Sequence, residues 1–551
     1  MNGTDDGVPR GAWACWLLTL AVLLPFTPAA AAAGEPGSTD LVAAESAAQP
    51  DGPATRSGYP NDPYAHSVGS WGQTFDDQWA LPALRAYPGI DTAREPAVGA
   101  DAVIVAVIDT GVDYQHEDLA ADRLWRNPDE QPNGRDDDLN GYADDFIGWN
   151  FVDGDNNPWD QSGHGTHIAG IIAACTNNAV GIAAVNPDAR IMALKVADFQ
   201  GQARSSAVAA AIYYAVDNGA RVINLSLGGE VVTEAERRAA SYAAERDVLV
   251  VVSAGNRGTR TTDFGYASLP DVLVVGASGP DGARAGFSNF GAELALLAPG
   301  VDVLSLRARD TDFIALSDPL DYPPGAAIVG ENDAYYRASG TSFAAANVSG
   351  LASRLLSLRP ELHAREARDL LLQSARDLEA PGVDQRTGFG HADLVAALGA
   401  QPGRLIEARL IGVDLSLADQ QIWLHIQGTA RAPDFAGAVL EFRPDPAAQA
   451  RPQADAPEAG TRRGREPKAE VAAGSEVGPD GGWQPLVQTP IAPTARGELA
   501  AVSLESMLER AGDAGTWELR LQVRDASGTS REARMAIELP RPAPPQEPAD
   551  E

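Results

Sequence analysis

The sequence contains an uninterrupted apolar run, Val103-Ile104-Val105-Ala106-Val107-Ile108, that leads directly into Asp109. Runs of this kind, rich in β-branched residues, are typical of strands buried on both faces of a sheet. Four more such runs follow, at 191–196, 222–227, 248–254 and 272–277. Segments of helical composition lie between the first of them, at 168–174 and 205–218. The pattern predicts an α/β fold, a doubly wound and mostly parallel sheet with helices on both faces.

Three glycine-containing segments carry an Asp, a His and a Ser, in that order along the chain. They are Val107-Ile108-Asp109-Thr110-Gly111, Gly163-His164-Gly165-Thr166-His167 and Gly340-Thr341-Ser342-Phe343-Ala344. Nucleophilic acyl transfer needs these types: a hydroxyl that attacks, an imidazole that takes its proton and a carboxylate that orients the imidazole. Because ligands of such sheets bind at the carboxyl ends of the strands, we expect the site at the edge where Asp109 ends its strand.

The three motifs resemble those of the subtilisin-like serine proteases, and the resemblance, especially to thermitase-like members, extends over residues 59–400. It implies a subtilisin-like sheet with Asp109, His164 and Ser342 as the catalytic triad. It also implies that the side chain of Asn256 donates a hydrogen bond to the oxyanion of the reaction. Two segments would line a roomy, largely apolar substrate pocket, Ser226-Leu227-Gly228 and Ser253-Ala254-Gly255, with Gly265-Tyr266 at its base.

The chain departs from the common family pattern just after the serine. Phe343, Ala346 and Asn347 stand where Met, Pro and His are usual. Phe in place of Met removes a side chain that oxidants attack. Loss of the Pro is expected to loosen the start of the helix.

Each candidate residue also has a purely structural interpretation. Asp109 could cap the turn after its strand, and Asn256 could be an ordinary turn residue. His167 follows His164 at a spacing that metal-binding histidines use, but no further His or Cys follows at ligand spacing. The resemblance favours His167 as a structural neighbour of the site.

An acidic segment between the first two motifs has the spacing of a calcium loop. Asp136, Asp138, Asn140 and Asp144 place oxygen ligands around a glycine at the sixth position. Calcium takes six to eight oxygen ligands, so the segment predicts a calcium-ordered loop. Ile147 stands where an EF-hand has Glu, so an EF-hand is not expected, and a solvated acidic turn is the alternative.

A second calcium site is implied by the resemblance alone. Asp62, Asp118 and Asn178 match positions at which subtilases bind calcium, with carbonyl groups near residues 180 and 182 completing the shell. Calcium is the only cofactor that the sequence analysis predicts.

The composition limits the partners of the chain. Its 551 residues include 42 Lys and Arg against 76 Asp and Glu, a net charge of −34. Such a charge argues against nucleic acid and anionic membranes as partners. It suits a protein of a salty setting, or equally a soluble one from a genome of biased codon usage.

The amino terminus has the features of a secretory signal. Residues 1–33 contain an apolar stretch followed by prolines and small residues, as at a cleavage site, and a retained membrane anchor is the alternative. Cleavage would leave Cys175 as the single cysteine, so no internal disulfide and no stable membrane span are expected. The predicted location is secreted, or periplasmic or at the cell surface.

The composition changes along the chain and predicts several segments. They are a flexible linker or short pro-segment at 34–58, a peptidase domain at 59–400, a β-sandwich at 403–539 with a disordered insertion at 446–482, and a disordered tail at 540–551. No partner of the β-sandwich can be inferred.

The predicted function is a secreted serine endopeptidase that cleaves protein or peptide substrates through an acyl-enzyme. Two alternatives stay open. One is a catalytically weak binding or adhesion protein on the same scaffold, and the other is a processing protease of narrow specificity.

Overall fold

A computed structural model of the chain describes residues 58–87, 102–229, 231–269, 271–311, 325–330, 332–445, 482–511 and 516–538. The predicted signal at 1–33, the tail at 540–551, the linker apart from Gly58 and the insertion apart from Gly482 lie outside these residues. Below, residues 59–400 are called the α/β region and residues 403–538 the β region.

A sheet of seven parallel strands forms the centre of the α/β region. The strands are β1 (Ile104–Asp109), β2 (Gly148–Asn150), β3 (Arg190–Lys195), β4 (Val222–Leu225), β5 (Leu249–Ser253), β6 (Leu273–Ser278) and β7 (Leu294–Pro299). Their spatial order is β2-β3-β1-β4-β5-β6-β7. The chain therefore changes direction across the sheet between β3 and β4, on either side of β1, where ligands of doubly wound sheets bind.

Helices cover both faces of this sheet. They are α1 (Ala80–Ala83), α2 (His164–Ala173), α3 (Ser205–Asp217), α4 (Glu234–Glu245), α5 (Thr341–Leu358), α6 (Ala364–Gln373) and α7 (Leu394–Gly399). Short 3₁₀ turns lie at Pro63–Ala65, Ala121–Arg123, Thr261–Asp263 and Gly265–Ser268. Val105 and Val107 belong to the apolar core that includes α2 and α5, whereas Ala106 and Ile108 belong to the core that includes α3 and α4. The predicted doubly wound α/β fold is confirmed.

A small antiparallel sheet lies beside α2. Its strands are β8 (Val303–Leu306), β9 (Ile328–Val329) and β10 (Tyr335–Ala338), in the order β8-β10-β9. The hydroxyl group of Ser305 in β8 donates to the carbonyl group of His167 at 2.7 Å, which holds this sheet against the helix that begins with His164.

The β region consists of two antiparallel sheets. Its elements are β11 (Glu407–Ala418), β12 (Gln421–Arg431), β13 (Phe435–Pro444), β14 (Gln484–Pro485), β15 (Thr494–Ser503), α8 (Leu504–Ala511), β16 (Thr516–Asp525) and β17 (Ser530–Glu538). The sheets have the orders β11-β12-β15 and β14-β13-β16-β17. Buried side chains of both, such as Leu424 and Trp517, share one apolar core, as expected of the predicted sandwich.

The last strand of the β region pairs with the α/β region. The N–H group of Val383 donates to the carbonyl group of Glu532 at 2.8 Å, and the N–H group of Arg534 donates back to Val383 at 2.9 Å. Gly382 has a φ of +90°, and a Cβ atom there would lie 2.5 Å from the carbonyl oxygen of Glu532. The contact therefore needs glycine at this position. Within the described ranges, no helix is both long and apolar enough to span a membrane.

Candidate active site

Asp109 and His164 meet at the carboxyl end of β1. Asp109 is the buried last residue of this strand, and His164 is the first residue of α2, which the chain enters through Gly163 at φ +100°. His164 Nδ1 lies 2.8 Å from Asp109 Oδ1. Burial by itself would lower the pKa of His164, but the charge of Asp109, their hydrogen bond and the charge of Asp160 together raise it. The carboxylate thus favours the protonated imidazole.

Asp160 holds the segment that leads into His164, and the sequence analysis did not single it out. Its Oδ1 accepts hydrogen bonds from the Thr110 hydroxyl and from the N–H groups of Ser162 and Gly163, each at 2.9 Å. Its Oδ2 accepts from the N–H and hydroxyl groups of Thr166 at 2.9 and 2.6 Å. One fully buried carboxylate therefore joins the end of β1 to the first turn of α2. Its position in the sequence, four residues before His164, is the feature that could have indicated this role.

Lys195 supports the same junction from β3. This buried residue lies opposite Asp109 in the sheet, and its Nζ donates to the carbonyl group of Thr110 at 2.6 Å. Burial lowers the pKa of Lys195, while the carboxylates of Asp160 and Asp109 act against that shift. A lysine inside an otherwise apolar strand of a chain with two lysines was the sequence signal.

Ser342 stands at the start of α5 and lines the same cleft as His164. It is the second residue of this helix, after Gly340 at the cap position. Its Oγ lies 3.4 Å from the carbonyl oxygen of Ser226, and no hydrogen bond joins it to His164 among the described residues. Both side chains line one cleft of about 620 Å³, and such bonds are often long without substrate. The start of a helix favours negative charge at this point.

Asn256 lies beside the turn into α5. It follows β5 and Gly255, whose φ is +95°. Its Oδ1 accepts from the N–H and hydroxyl groups of Thr341, both at 2.8 Å, so its Nδ2 stays available as a donor. A Cβ atom on Gly340 would lie 3.3 Å from that Nδ2. The amide donor is therefore close to the backbone that precedes Ser342.

The cleft contains most of the predicted pocket residues. Those that line it are Ser226, Leu227, Gly228, Ser253 and Gly255, whereas Ala254 is fully buried behind it. The half-exposed Phe199 and the residues Gln200, Gly201 and Gln202 line it as well. The structure thus brings the two predicted segments together around Ser342.

Phe264, rather than Gly265-Tyr266, adjoins the floor of the pocket. A Cβ atom on Gly228 would lie 2.8 Å from Phe264 Cε2, and one on Gly255 would lie 3.1 Å from Phe264 Cδ2. Tyr266 is buried, and its hydroxyl group donates to Glu236 at 2.6 Å. The phenyl ring of Phe264 therefore lies against both predicted pocket segments, where Gly265-Tyr266 was expected, because the loop after Asn256 places its aromatic residues differently.

His167 is a neutral, structural residue. It is fully buried, and its Nε2 lies 2.9 Å from the carbonyl oxygen of Tyr336. Burial lowers its pKa to about 3. The ring of Phe343 packs against both His167 and His164, with centroids 4.4 and 5.6 Å apart. Phe343 thus fills the space between the two imidazoles.

The acidic loop gathers carboxylates, including one that the sequence analysis missed. Ligand oxygens of Glu130, Asp136 and Asp138 lie within 4.8 Å of one another. The amide of Asn140 donates to Asp138 at 3.0 Å, so this residue adjoins the cluster. The carboxylate of Asp144 instead accepts from the N–H groups at positions 133 and 134. Glu130 precedes the spacing motif, which is why the motif did not include it.

Asp62, Asp118 and Asn178 also come together. Asp62 accepts from the N–H group of Asn178 at 3.2 Å, and the Asn178 amide donates to Asp118 at 2.8 Å. Both carboxylates are fully buried, and no Lys or Arg of the described residues pairs with either. Burial, with the charge of Asp62, raises the pKa of Asp118 to about 7, and burial raises that of Asp62. A cation with oxygen ligands fits such a pair.

A parallel sheet with a buried Asp–His pair and a serine at a helix start in the same cleft is the arrangement of serine peptidases of the α/β class. The chain belongs to the Subtilase family (Peptidase S8), whose sequence pattern matches residues 100–390. The members of this family are serine endopeptidases.

Several proteins resemble a part of the chain. It is 39% identical over 267 residues to a thermophilic serine proteinase of Bacillus sp. (strain AK1), aligning 48% of this chain and 55% of that protein. It is 34% identical over 298 residues to thermitase of Thermoactinomyces vulgaris, aligning 54% and 85%. Among solved structures, a lanthipeptide protease matches with a TM-score of 0.48 and 27% identity, over 63% of this chain and 99% of that one. The chain thus spans about half the length of the Bacillus proteinase.

Proposed function

We propose that the chain hydrolyses peptide bonds through a triad of Asp109, His164 and Ser342. The observation that carries the proposal is the 2.8 Å contact of His164 with the buried Asp109 in the cleft that also contains Ser342. The buried carboxylate fixes the imidazole with Nδ1 as donor, which leaves Nε2 to accept a proton.

Ser342 Oγ attacks the carbonyl carbon of the substrate and passes its proton to His164. The tetrahedral intermediate collapses to an acyl-enzyme as His164 gives that proton to the leaving amine. Water then attacks the acyl carbon while His164 takes a proton from it. The bond between the acyl carbon and Ser342 Oγ breaks, His164 returns the proton to Oγ, and the product leaves as a carboxylic acid. The charge of Asp109 stabilises the imidazolium in both halves of the reaction.

The developing oxyanion would be bound by two donors, Asn256 Nδ2 and the N–H group of Ser342. The bonds from Thr341 to Asn256 Oδ1 support this role, because they fix the amide with its nitrogen free. Removal of such a donor costs a rate factor of about 10²–10³, a magnitude measured in subtilisin itself.

A fluorophosphonate probe followed by mass spectrometry of the folded protein tests the triad. We expect one adduct, on Ser342, and none in His164→Ala or Ser342→Ala. His425→Ala, a histidine of β12 far along the chain, is the matched control and should label like the wild type. A folded protein that does not label, or that labels equally in His164→Ala, would contradict the proposal.

Protein or peptide chains that can lie extended in the cleft are the proposed substrates, and export from the cell is the proposed location. The two regions would be separate domains, 59–400 and 403–539, because each contains its own sheets. The apolar segment near the amino terminus supports export. Amino-terminal sequencing of protein recovered from the culture medium tests it, and an intact Met1 on a cell-bound protein would count against it.

We also propose that calcium stabilises the fold at two places. Asp62, Asp118 and Asn178 would hold one ion, since no Lys or Arg of the described part of the chain pairs with the two buried carboxylates. Glu130, Asp136 and Asp138, with Asn140 beside them, would hold the other. The ions would supply positive charge and tie loops together, and they take no part in the proposed chemistry.

A further inference from the structure

A second cleft, similar in volume to the catalytic one, lies at the other edge of the central sheet. It encloses about 610 Å³. One wall consists of the amino-terminal ends of β5, β6 and β7 with the first turns of α6, and the other consists of β11, β12 and β15. Leu249 at the start of β5 lines this cleft, whereas Ser253 at the end of β5 lines the catalytic cleft. The two clefts therefore share a strand but open at opposite edges.

Five arginines line the second cleft, which we call the arginine cleft. They are Arg365, Arg368, Arg409, Arg431 and Arg496. The first two belong to the α/β region and the other three to the β region. These five cationic side chains lie close together although the chain as a whole has a net charge of −34. Both regions thus contribute positive charge to one enclosed space.

The carboxylates of the same walls pair with only some of these arginines. Glu407 lies 2.7 Å from Arg431 and 4.0 Å from Arg368, and Glu293 lies 3.6 Å from Arg496. In these ion pairs, both the arginine and the carboxylate line the cleft.

The other guanidinium donors are less well satisfied. Arg409 donates to the carbonyl group of Ala292 at 2.8 Å, and no carboxylate of the described residues is within ion-pair distance of it. Arg365 makes neither a hydrogen bond nor an ion pair with another described residue. Nε of Arg368 is buried without a hydrogen-bond partner, although its Nη1 pairs with Asp369. Guanidinium N–H groups that could donate to a bound ligand therefore remain in the cleft.

The remaining acidic side chains of the lining do not pair with these unsatisfied guanidinium donors. Asp247 is already engaged by Arg221, His363 and the N–H group of Ala364. Glu245 and Asp271 are exposed to solvent. Burial, opposed by the two nearby glutamates and reinforced by the charges of Arg368 and Arg496, lowers the pKa of Arg409 to about 10. An anion bound beside Arg409 would compensate for the burial of its charge.

We propose that the arginine cleft binds a small dianion that carries carboxylate or phosphate groups. The guanidinium fork matches both kinds of oxyanion with two parallel hydrogen bonds. Because the arginines come from both regions, the bound anion holds the β region against the α/β region. This site is separate from the catalytic cleft, and its existence does not depend on the proposed peptidase activity.

Calorimetric titration of the full chain tests the proposal, with Ser342→Ala as the background to prevent self-digestion. Succinate and glycerol 2-phosphate are the two probes, and sodium chloride at equal ionic strength is the reference. We expect saturable binding of at least one probe. The probe that binds with the higher affinity identifies the preferred oxyanion. Saturable binding should also raise the melting temperature, since the anion binds only the folded chain.

The double variant Arg365→Gln/Arg496→Gln removes two exposed side chains, so folding is not at risk. We expect binding to weaken about tenfold or more for each arginine that contacts the anion. Arg524→Gln, an exposed arginine of β16 outside the cleft, is the matched control and should bind as the parent does. Absence of saturable binding by both probes, or an equal loss in Arg524→Gln, overturns the proposal.

Discussion

At the scale of single residues, the carboxylate of Asp160 positions a histidine that it does not touch. It accepts five hydrogen bonds from the segment around His164 and from Thr110. Asp160→Ala leaves these donors without their acceptor. We expect kcat to fall by more than KM rises, and the free energy of unfolding to fall by about 3 kcal/mol, as for buried hydrogen bonds to a charged group.

Steady-state kinetics and urea unfolding measure both effects. Asp281→Asn, which alters an exposed carboxylate on a turn, is the control and should change neither. If Asp160→Ala kept full kcat, the positioning role would be wrong.

We predict that Phe264 sets the depth of the substrate pocket. Because its ring packs against Gly228 and Gly255, small side chains should be preferred at the residue before the cleaved bond. Phe264→Ala should shift the ratio of kcat/KM for Phe over Ala at that position by about tenfold or more, the range of apolar pocket discrimination. Phe199→Ala, at the exposed rim, is the control. Chromogenic peptides that differ only at this residue measure the ratio, and an unchanged ratio would exclude Phe264 as a determinant.

The charge of Asp109 predicts the pH dependence of the reaction. His164 acts as a base only when neutral, so kcat/KM should rise with pH through the pKa of His164. Since that pKa lies above its usual 6.5, the midpoint should also lie above 6.5. In Asp109→Asn the raising charge is absent, so the residual activity should have its midpoint at lower pH. A midpoint that moves upward in this variant would refute the assignment.

At the scale of elements, the loops around Asp118 predict a coupling of calcium and pH. Burial raises the pKa of Asp118 from 3.8 to about 7 in the metal-free fold. Between these values the folded chain retains a proton that the unfolded chain has lost, so the free energy of unfolding falls as pH rises through this window. The fall should be at most about 4 kcal/mol, because one pKa unit corresponds to about 1.4 kcal/mol.

In Asp118→Asn the side chain at position 118 cannot ionise. In the presence of a chelator, the free energy of unfolding of this variant should therefore lack this component of the pH dependence. Calcium should stabilise the wild type more at pH above this window than below it. In the variant, only the stabilisation that comes from the other proposed site, at Glu130, Asp136 and Asp138, should remain. Chemical unfolding with calcium or chelator gives the comparison, with the exposed Asp333→Asn as the control. Equal stabilisation of Asp118→Asn by calcium would contradict this site.

The elements that position the site were largely predictable from sequence. β1 ends at Asp109, α2 begins at His164 and α5 begins beside Ser342, because an apolar run and glycines mark each boundary locally. Asp160 and Lys195 were not predicted, since their roles depend on partners from other elements. Glu130 was not predicted as a ligand because it precedes the regular ligand spacing. Phe264 was not predicted as a pocket residue because no periodic pattern in the sequence determines the path of its loop.

At the scale of the whole molecule, Gly382 controls the contact between the two regions. Gly382→Ala would force a Cβ atom toward the carbonyl oxygen of Glu532 and strain a backbone at φ +90°. We expect a loss of at least about 1 kcal/mol of stability, the cost of a side chain in this conformation. Gly403→Ala is the matched control, because its φ of +70° is similar but no atom lies within 4 Å. Calorimetry should show a larger loss for Gly382→Ala, and equal losses would mean that the contact with β17 is unimportant.

How the two regions dock could not be predicted from sequence. Alternating apolar residues indicated a sandwich in the β region, but its pairing with Val383 joins positions far apart in the chain. The arginine cleft exists only because of that docking, since its five arginines come from α6 in the α/β region and from β11, β12 and β15 in the β region. No local spacing connects Arg365 with Arg496.

The burial of Lys195 has a practical consequence for immobilising the protein. Amine-reactive esters need an accessible, unprotonated amine, and this Nζ is enclosed while it donates to Thr110. Of the two lysines in the chain, Lys195 is thereby withheld from coupling. Attachment to an activated resin should therefore leave Lys195, and with it the carboxyl end of β1 where Asp109 meets His164, without a covalent modification.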